Sequence, residues 1–131
     1  MVTQVAQKHL GAFYTSSQAA RVLVDWAIRE PHDRVLDPAC GEGVFLEASA
    51  VRLCAVNGDP AAQVHGIEID RIVFRNTLAP LLIKLSIPAE NIIVSDFFDV
   101  CPSTLPLFDA VVGNPPFIRY QTFKGPSRDK A

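Results

Sequence analysis

Apolar residues in this chain recur in two alternating rhythms, short near-continuous runs and longer stretches at helical spacing, with Pro and Gly between them. Ser16 or Ser17 can cap a first helix in which Ala19, Val22, Leu23, Trp26 and Ala27 follow the helical period, ending before Pro31. Arg34 to Asp37 (RVLD) predicts a short buried strand, followed by the loop PACGEG and a second helix from about Val44 to Val56 that stops at Asn57-Gly58. Val64 to Ile69 (VHGIEI) predicts a second strand, after which Asp70 is placed to cap a helix running to Leu85 with a break at Pro80. Ile92 to Ser95 gives a third strand and Phe108 to Gly113 a fourth, ended by Asn114-Pro115-Pro116, which cannot continue a ladder. The stretch FFDVCPSTLPL between them is too rich in Pro for a regular helix. Apolar strands alternating with helices predict an α/β fold, a parallel sheet of about four strands with helices on both faces.

Composition narrows this without redirecting it. The 131 residues suit one folded unit, and 49% hydrophobic with 20% charged residues at a mean hydropathy of +0.20 predicts a real core. Three widely spaced cysteines, Cys40, Cys54 and Cys101, make neither a disulfide framework nor a zinc site, which points to a reducing, cytoplasmic compartment. The N-terminal stretch lacks the pattern of a secretory signal, and no apolar run reaches the roughly 18 residues of a membrane span, so a soluble protein is expected.

The net charge of −2 is unevenly spread. Residues 1–117 hold 8 Lys and Arg against 13 Asp and Glu, a balance of −5, whereas residues 118–131 hold Arg119, Lys124, Arg128 and Lys130 against Asp129, a balance of +3. Phosphate neutralisation dominates nucleic-acid binding, so an acidic body is a poor platform for it. Any grip on DNA must come from the basic tail or from another region.

In parallel α/β sheets, ligands sit beyond the carboxyl ends of the strands, and all four predicted ends here are polar. The first ends in Asp37 and runs into Gly41-Glu42-Gly43, where missing side chains let a ligand approach the backbone and the next helix offers free N–H groups. Asp37 and Glu42 would repel a pyrophosphate and suit a ligand carrying positive charge. Glu68, 27 residues after Gly41, ends the second strand where an acidic side chain receives two ribose hydroxyls; the alternative is a surface carboxylate. Asp96 ends the third strand beside Phe97 and Phe98. It can accept from an exocyclic amino group while a ring covers the base, or it is simply a strand-end Asp next to core aromatics.

Asn114-Pro115-Pro116-Phe117 is the most specific constellation. The two prolines fix the backbone and remove two donors, so the Asn114 side-chain oxygen and the Pro115 carbonyl can converge as acceptors on one planar amine, with Phe117 as a stacking face. A structural turn is the plainer reading. Asp70 reads as a helix cap and Asp99 as a solvated turn residue. His9, His32 and His65 show no metal spacing, so no metal site is expected, and Cys40 reads as a small packing residue.

Strand ends reading DPACGEG, GIEID, SDFF and GNPPF, in that order, resemble the successive motifs of S-adenosyl-L-methionine-dependent adenine-N6 DNA methyltransferases of restriction-modification systems. The stretch GAFYTSSQAARVLVDWA adds to the likeness, because Gly11, Phe13, Tyr14 and Thr15 are similar to the motif that precedes the glycine loop in one subgroup. The resemblance spans roughly residues 9–121, the first part of that family's Rossmann-like catalytic domain. It implies that residues 1–30 form the leading motif and first helix, 34–117 the cofactor core, and 118–131 a basic tail. It further implies that Thr15 and the backbone of Ala39, Cys40 and Gly41, with Gly43 closing the loop, receive the methionine part of the cofactor near Asp37. Glu68 would hold the ribose, Asp96 and Phe97 the adenine ring, and Asn114, Pro115, Pro116 and Phe117 an adenine flipped out of double-stranded DNA.

That family has a longer sheet and a separate recognition region, so the expectation is an N-terminal fragment with an exposed fourth strand, weak cofactor binding and doubtful independent activity. Rival readings are a protein glutamine or RNA amino-methyltransferase, whose substrates also present a planar amine, and a non-catalytic cofactor-binding remnant.

Overall fold

The computed structural model describes residues 15–114. Gly11, Phe13, Tyr14, Pro115, Pro116, Phe117 and the basic tail lie outside the described residues.

Helix α1 spans Ser17–Ala27, and Ser16 is its cap, accepting a hydrogen bond from the Ala19 N–H at 3.1 Å. Beyond it, the Asp33 carboxylate accepts from the Glu30 and Arg29 N–H groups at 3.0 and 2.9 Å, which holds the bend into the sheet and draws the Asp33 pKa below its usual range. The buried stripe of α1 is Ala20, Val24 and Ile28, whereas Val22 and Trp26 are 70% and 71% exposed. This differs from the predicted inner face. Two stripes of the helix fit the same 3.6-residue period, and contact with helix α2 (Val44–Ala55) decides which one turns inward.

Four parallel strands form the sheet: β1 (Val35–Asp37), β2 (Val64–Glu68), β3 (Ile92–Val94) and β4 (Ala110–Val111), in the order β3-β2-β1-β4. Val35 pairs with Val64 on one side and Ala110 on the other, and Gly66 pairs with Ile92. By the pleat, Val35, Val64, Ile92 and Val112 share one face, and these join Val24, Leu46, Leu53, Leu78 and Leu82 in the main core. The other face carries Leu36 and Ile67, also buried, with Phe108 set edge-on against His65 at 5.5 Å.

Helix α2 stops where Asn57 turns left-handed (φ 66°) and the Gly58 N–H reaches back to the Leu53 carbonyl. A short helix α3, Pro60–Gln63, follows, capped by Asp59. Its buried Gln63 amide donates to the Pro31 and Asp33 carbonyls, tying α3 to the strand entry.

Asp70 caps the next helix as expected, accepting from the Ile72 and Val73 N–H groups at 2.8 and 3.3 Å. That helix begins as α4 (Arg71–Val73), widens into a π turn over Phe74–Leu78 and resumes as α5 (Ala79–Leu85). The irregularity therefore lies ahead of Pro80 rather than at it. Pro80 has no N–H to donate and its ring crowds the carbonyl four residues earlier, and the preceding turn relieves this by widening, so that the Ala79 N–H bonds the Phe74 carbonyl.

The proline-rich connection forms two 3-10 turns, Phe97–Asp99 and Pro102–Thr104. Strand β4 is shorter than the predicted Phe108 to Gly113. Among the described residues it pairs with β1 alone: Asp109 and Ala110 both donate to the Arg34 carbonyl and Val112 to the Leu36 carbonyl.

Candidate functional site

The carboxyl ends of all four strands lie along one edge of the sheet, because every pairing is parallel. Asp37 ends the central strand at only 2% exposure. Its Oδ1 accepts from the Ala39 N–H at 3.0 Å, and its buried Oδ2 has no hydrogen-bond partner. Burial pushes this carboxyl up to about 7, against the Ala39 hydrogen bond and with some help from the nearby Glu68 charge. Gly113, just after β4, sits against it. A Cβ there would lie 2.7 Å from Asp37 Oδ1, so only glycine lets the two strand ends approach.

The loop between β1 and α2 is held by backbone bonds from the Cys40 N–H to the Ile67 carbonyl at 3.0 Å and from the Gly43 N–H to the Cys40 carbonyl at 2.8 Å. Gly41 and Gly43 both have positive φ, +54° and +86°. A Cβ on Gly43 would run into Leu81 and Leu78, whereas one on Gly41 would meet nothing within 4 Å. Gly43 is therefore a packing glycine, and Gly41 faces open space. Cys40 is buried against Gly66. Burial and the neighbouring Asp37 and Glu68 charges push its thiol up, which suits packing and disfavours a nucleophile.

Glu68 is 7% exposed, which excludes the surface reading. Its Oε1 accepts from the Gly41 N–H at 2.8 Å and its Oε2 from the Asp70 N–H at 2.9 Å, so the carboxylate pins the glycine loop to the end of β2. The Ser95 N–H donates to the Glu68 carbonyl, which sets Asp96 next along the edge. Asp96 caps its 3-10 turn through the Phe98 N–H at 3.0 Å, and Phe97 and Phe98, both partly exposed, meet edge to face at 5.5 Å.

Asn114 closes the series. Its Nδ2 donates to Thr15 Oγ1 at 2.9 Å, joining residues 99 apart in sequence. Sequence reasoning placed each partner near a ligand and missed that they touch. No local signal carries that contact, because it depends on how α1 packs beside the sheet.

Glu68 is thus bonded to Gly41, with the buried Asp37 near enough to feel its charge, Gly113 against Asp37, Asp96 next along the edge and Thr15 bonded to Asn114. The unpartnered Asp37 oxygen and the open space over Gly41 fit a cationic ligand laid across the loop. Among the described residues there is no metal-ligating cluster, and no helix is long and apolar enough to cross a membrane.

Comparison with known proteins agrees with this architecture. The sequence is 28% identical over 117 residues to the type II methyltransferase M.XamI of Xanthomonas campestris pv. amaranthicola, covering 84% of this chain and 20% of that protein. It is 31% identical over 117 residues to the type I restriction enzyme MjaIX methylase subunit of Methanocaldococcus jannaschii, covering 88% of this chain and 20% of that protein. The chain therefore corresponds to about a fifth of the length of these curated relatives. The profile of the N-6 DNA methylase family matches residues 1–130, essentially the whole chain, and the chain belongs to that family.

Proposed function

We propose that this chain is the cofactor-binding and amine-presenting part of an adenine-N6 DNA methyltransferase that uses S-adenosyl-L-methionine. The observation that carries the reading is the pair of buried carboxylates Asp37 and Glu68 around the open Gly41 loop, with one Asp37 oxygen left unpartnered, at the same sheet edge as Asn114. Relatives named as methyltransferases of restriction systems support it.

On this reading, Asp37 faces the cationic end of the cofactor. The Ala39 to Gly41 backbone and Thr15 face its carboxylate. Glu68 keeps a lone pair on each oxygen for the ribose hydroxyls while holding Gly41 and Asp70, and Asp96 with Phe97 takes the adenine ring. When bound, the cofactor supplies an electrophilic methyl group on a sulfonium. Asn114 Oδ1 and the Pro115 carbonyl accept hydrogen bonds from the target N6, which raises its nucleophilicity and disperses the positive charge that develops there. Pro116 stiffens the turn, and Phe117 stacks on the flipped base. The three cysteines, Cys40, Cys54 and Cys101, are free thiols, and on this reading the protein works in a reducing cytoplasm.

The test is transfer of labelled methyl from S-adenosyl-L-methionine by the polypeptide that carries this chain, offered DNA, RNA and a glutamine-bearing protein in parallel. Label in the adenine N6 of DNA is the expected result. Label in protein or RNA alone, or cofactor binding without any transfer, would replace this reading with one of its rivals.

A further inference from the structure

The Asn114 side chain is an amide with one donor end and one acceptor end, and only the acceptor end suits an amine that must keep its lone pair for attack. In the structure the donor end is committed: Nδ2 bonds Thr15 Oγ1 at 2.9 Å. The planarity of the amide then directs Oδ1 away from Thr15. Rotating the amide by half a turn would make the Thr15 hydroxyl the donor to Oδ1 and point N–H groups where the amine belongs, so the observed direction holds while the hydroxyl proton is given elsewhere.

We infer that Thr15 is a positioning residue for Asn114: with its own proton given to an anionic group, its hydroxyl oxygen accepts from the amide and favours the orientation that presents an acceptor to a planar amine. This deepens the proposed function and rests on it. A hydroxyl that accepts from Asn114 still has its own proton to give, and the anionic group expected beside Thr15 is a natural acceptor. Donation to that group makes Thr15 Oγ1 a stronger acceptor for Nδ2 through hydrogen-bond polarisation, so occupancy of the cofactor site tightens the orientation of Asn114. The first helix thereby links the two halves of the site. Ser16, its cap, fixes where α1 begins and hence where Thr15 stands.

The experiment is nuclear magnetic resonance of the Asn114 side-chain NH2, identified as the signal lost in Asn114→Asp, in the wild type, Thr15→Val and Thr15→Ser, without and with S-adenosylhomocysteine. Thr15→Val removes the hydroxyl at nearly constant volume and is expected to move the NH2 signal and speed its exchange with water by about 3- to 10-fold, the equivalent of one neutral hydrogen bond. Thr15→Ser keeps the hydroxyl and is expected to stay close to the wild type. S-adenosylhomocysteine should move the Asn114 signal in the wild type and Thr15→Ser but not in Thr15→Val. An Asn114 signal indifferent to Thr15→Val, or equal effects of Val and Ser, would overturn the inference. If S-adenosylhomocysteine moves no resonance anywhere, including the Gly41 amide, the cofactor reading fails, while the comparison of Val with Ser still decides the Thr15–Asn114 link.

Discussion

Glu68 Oε1 accepts the Gly41 N–H at 2.8 Å, so the acidic end of β2 holds the glycine loop after β1 in place before any ligand arrives. The same carboxylate takes the Asp70 N–H through its other oxygen, and Asp70 in turn caps α4. One buried side chain thus supports a loop, a strand end and a helix start.

Glu68→Ala leaves two part-buried N–H groups without their charged acceptor. It is expected to lower unfolding stability by about 2–4 kcal/mol, read by urea denaturation. Glu68→Gln keeps one acceptor and turns an N–H toward the other donor, so about half of that loss is expected. Unchanged stability in both variants would mean that Glu68 serves only a ligand.

Asp37 gives a pH dependence with a definite sign. Its carboxyl is raised from 3.8 to about 7 in the fold by burial, so the folded state binds a proton that the unfolded chain has already released. Its contribution to stability is full below pH 4 and is lost as pH rises toward 7. Asp37→Asn mimics the neutral acid and should remove this decline, so the difference in melting temperature between variant and wild type should shift in favour of the variant from pH 4 to pH 8. A pH-independent difference would show that Asp37 is ionised throughout.

The two loop glycines should respond differently to alanine. Gly43→Ala adds a Cβ that runs into Leu81 on top of a left-handed backbone at +86°, with an expected cost of about 2–4 kcal/mol in chemical denaturation. Gly41→Ala meets only the backbone penalty of about 1–2 kcal/mol and instead fills the space over the loop, so its larger effect should be on S-adenosylhomocysteine affinity by calorimetry.

Helix α1 offers a direct reading of which face is inside. Val24→Ala, at a fully buried site, is expected to cost about 1–3 kcal/mol, and Trp26→Ala about 0.5 kcal/mol or less despite the far larger truncation. The reverse order of costs would place the Trp26 face against the core.

The order of the four strands and the three longer helices, a cap at Ser16 or Ser17, the Asp70 cap, the stop at Asn57-Gly58 and the polar strand ends were legible in the chain, because each depends on spacing or on groups a few residues apart; the short helix Pro60–Gln63 was not. The inner face of α1 was not legible, since Ala20/Val24/Ile28 and Val22/Trp26 satisfy the same periodicity and only contact with α2 chooses between them. The early end of β4 and the widened turn ahead of Pro80 likewise reflect pairing and crowding among neighbours in space.

For the site, residue types in sequence named Asp37, Gly41, Glu68, Asp96 and Asn114, and the polar ends of apolar strands sufficed for that. Tertiary structure alone decided that Glu68 clasps Gly41, that Gly113 lies against Asp37, that one Asp37 oxygen is left without a partner, and that Thr15 meets Asn114. Hydrogen bonds and burial between residues 27 to 99 positions apart are set by the parallel register of the sheet and the packing of α1, and no local pattern encodes them.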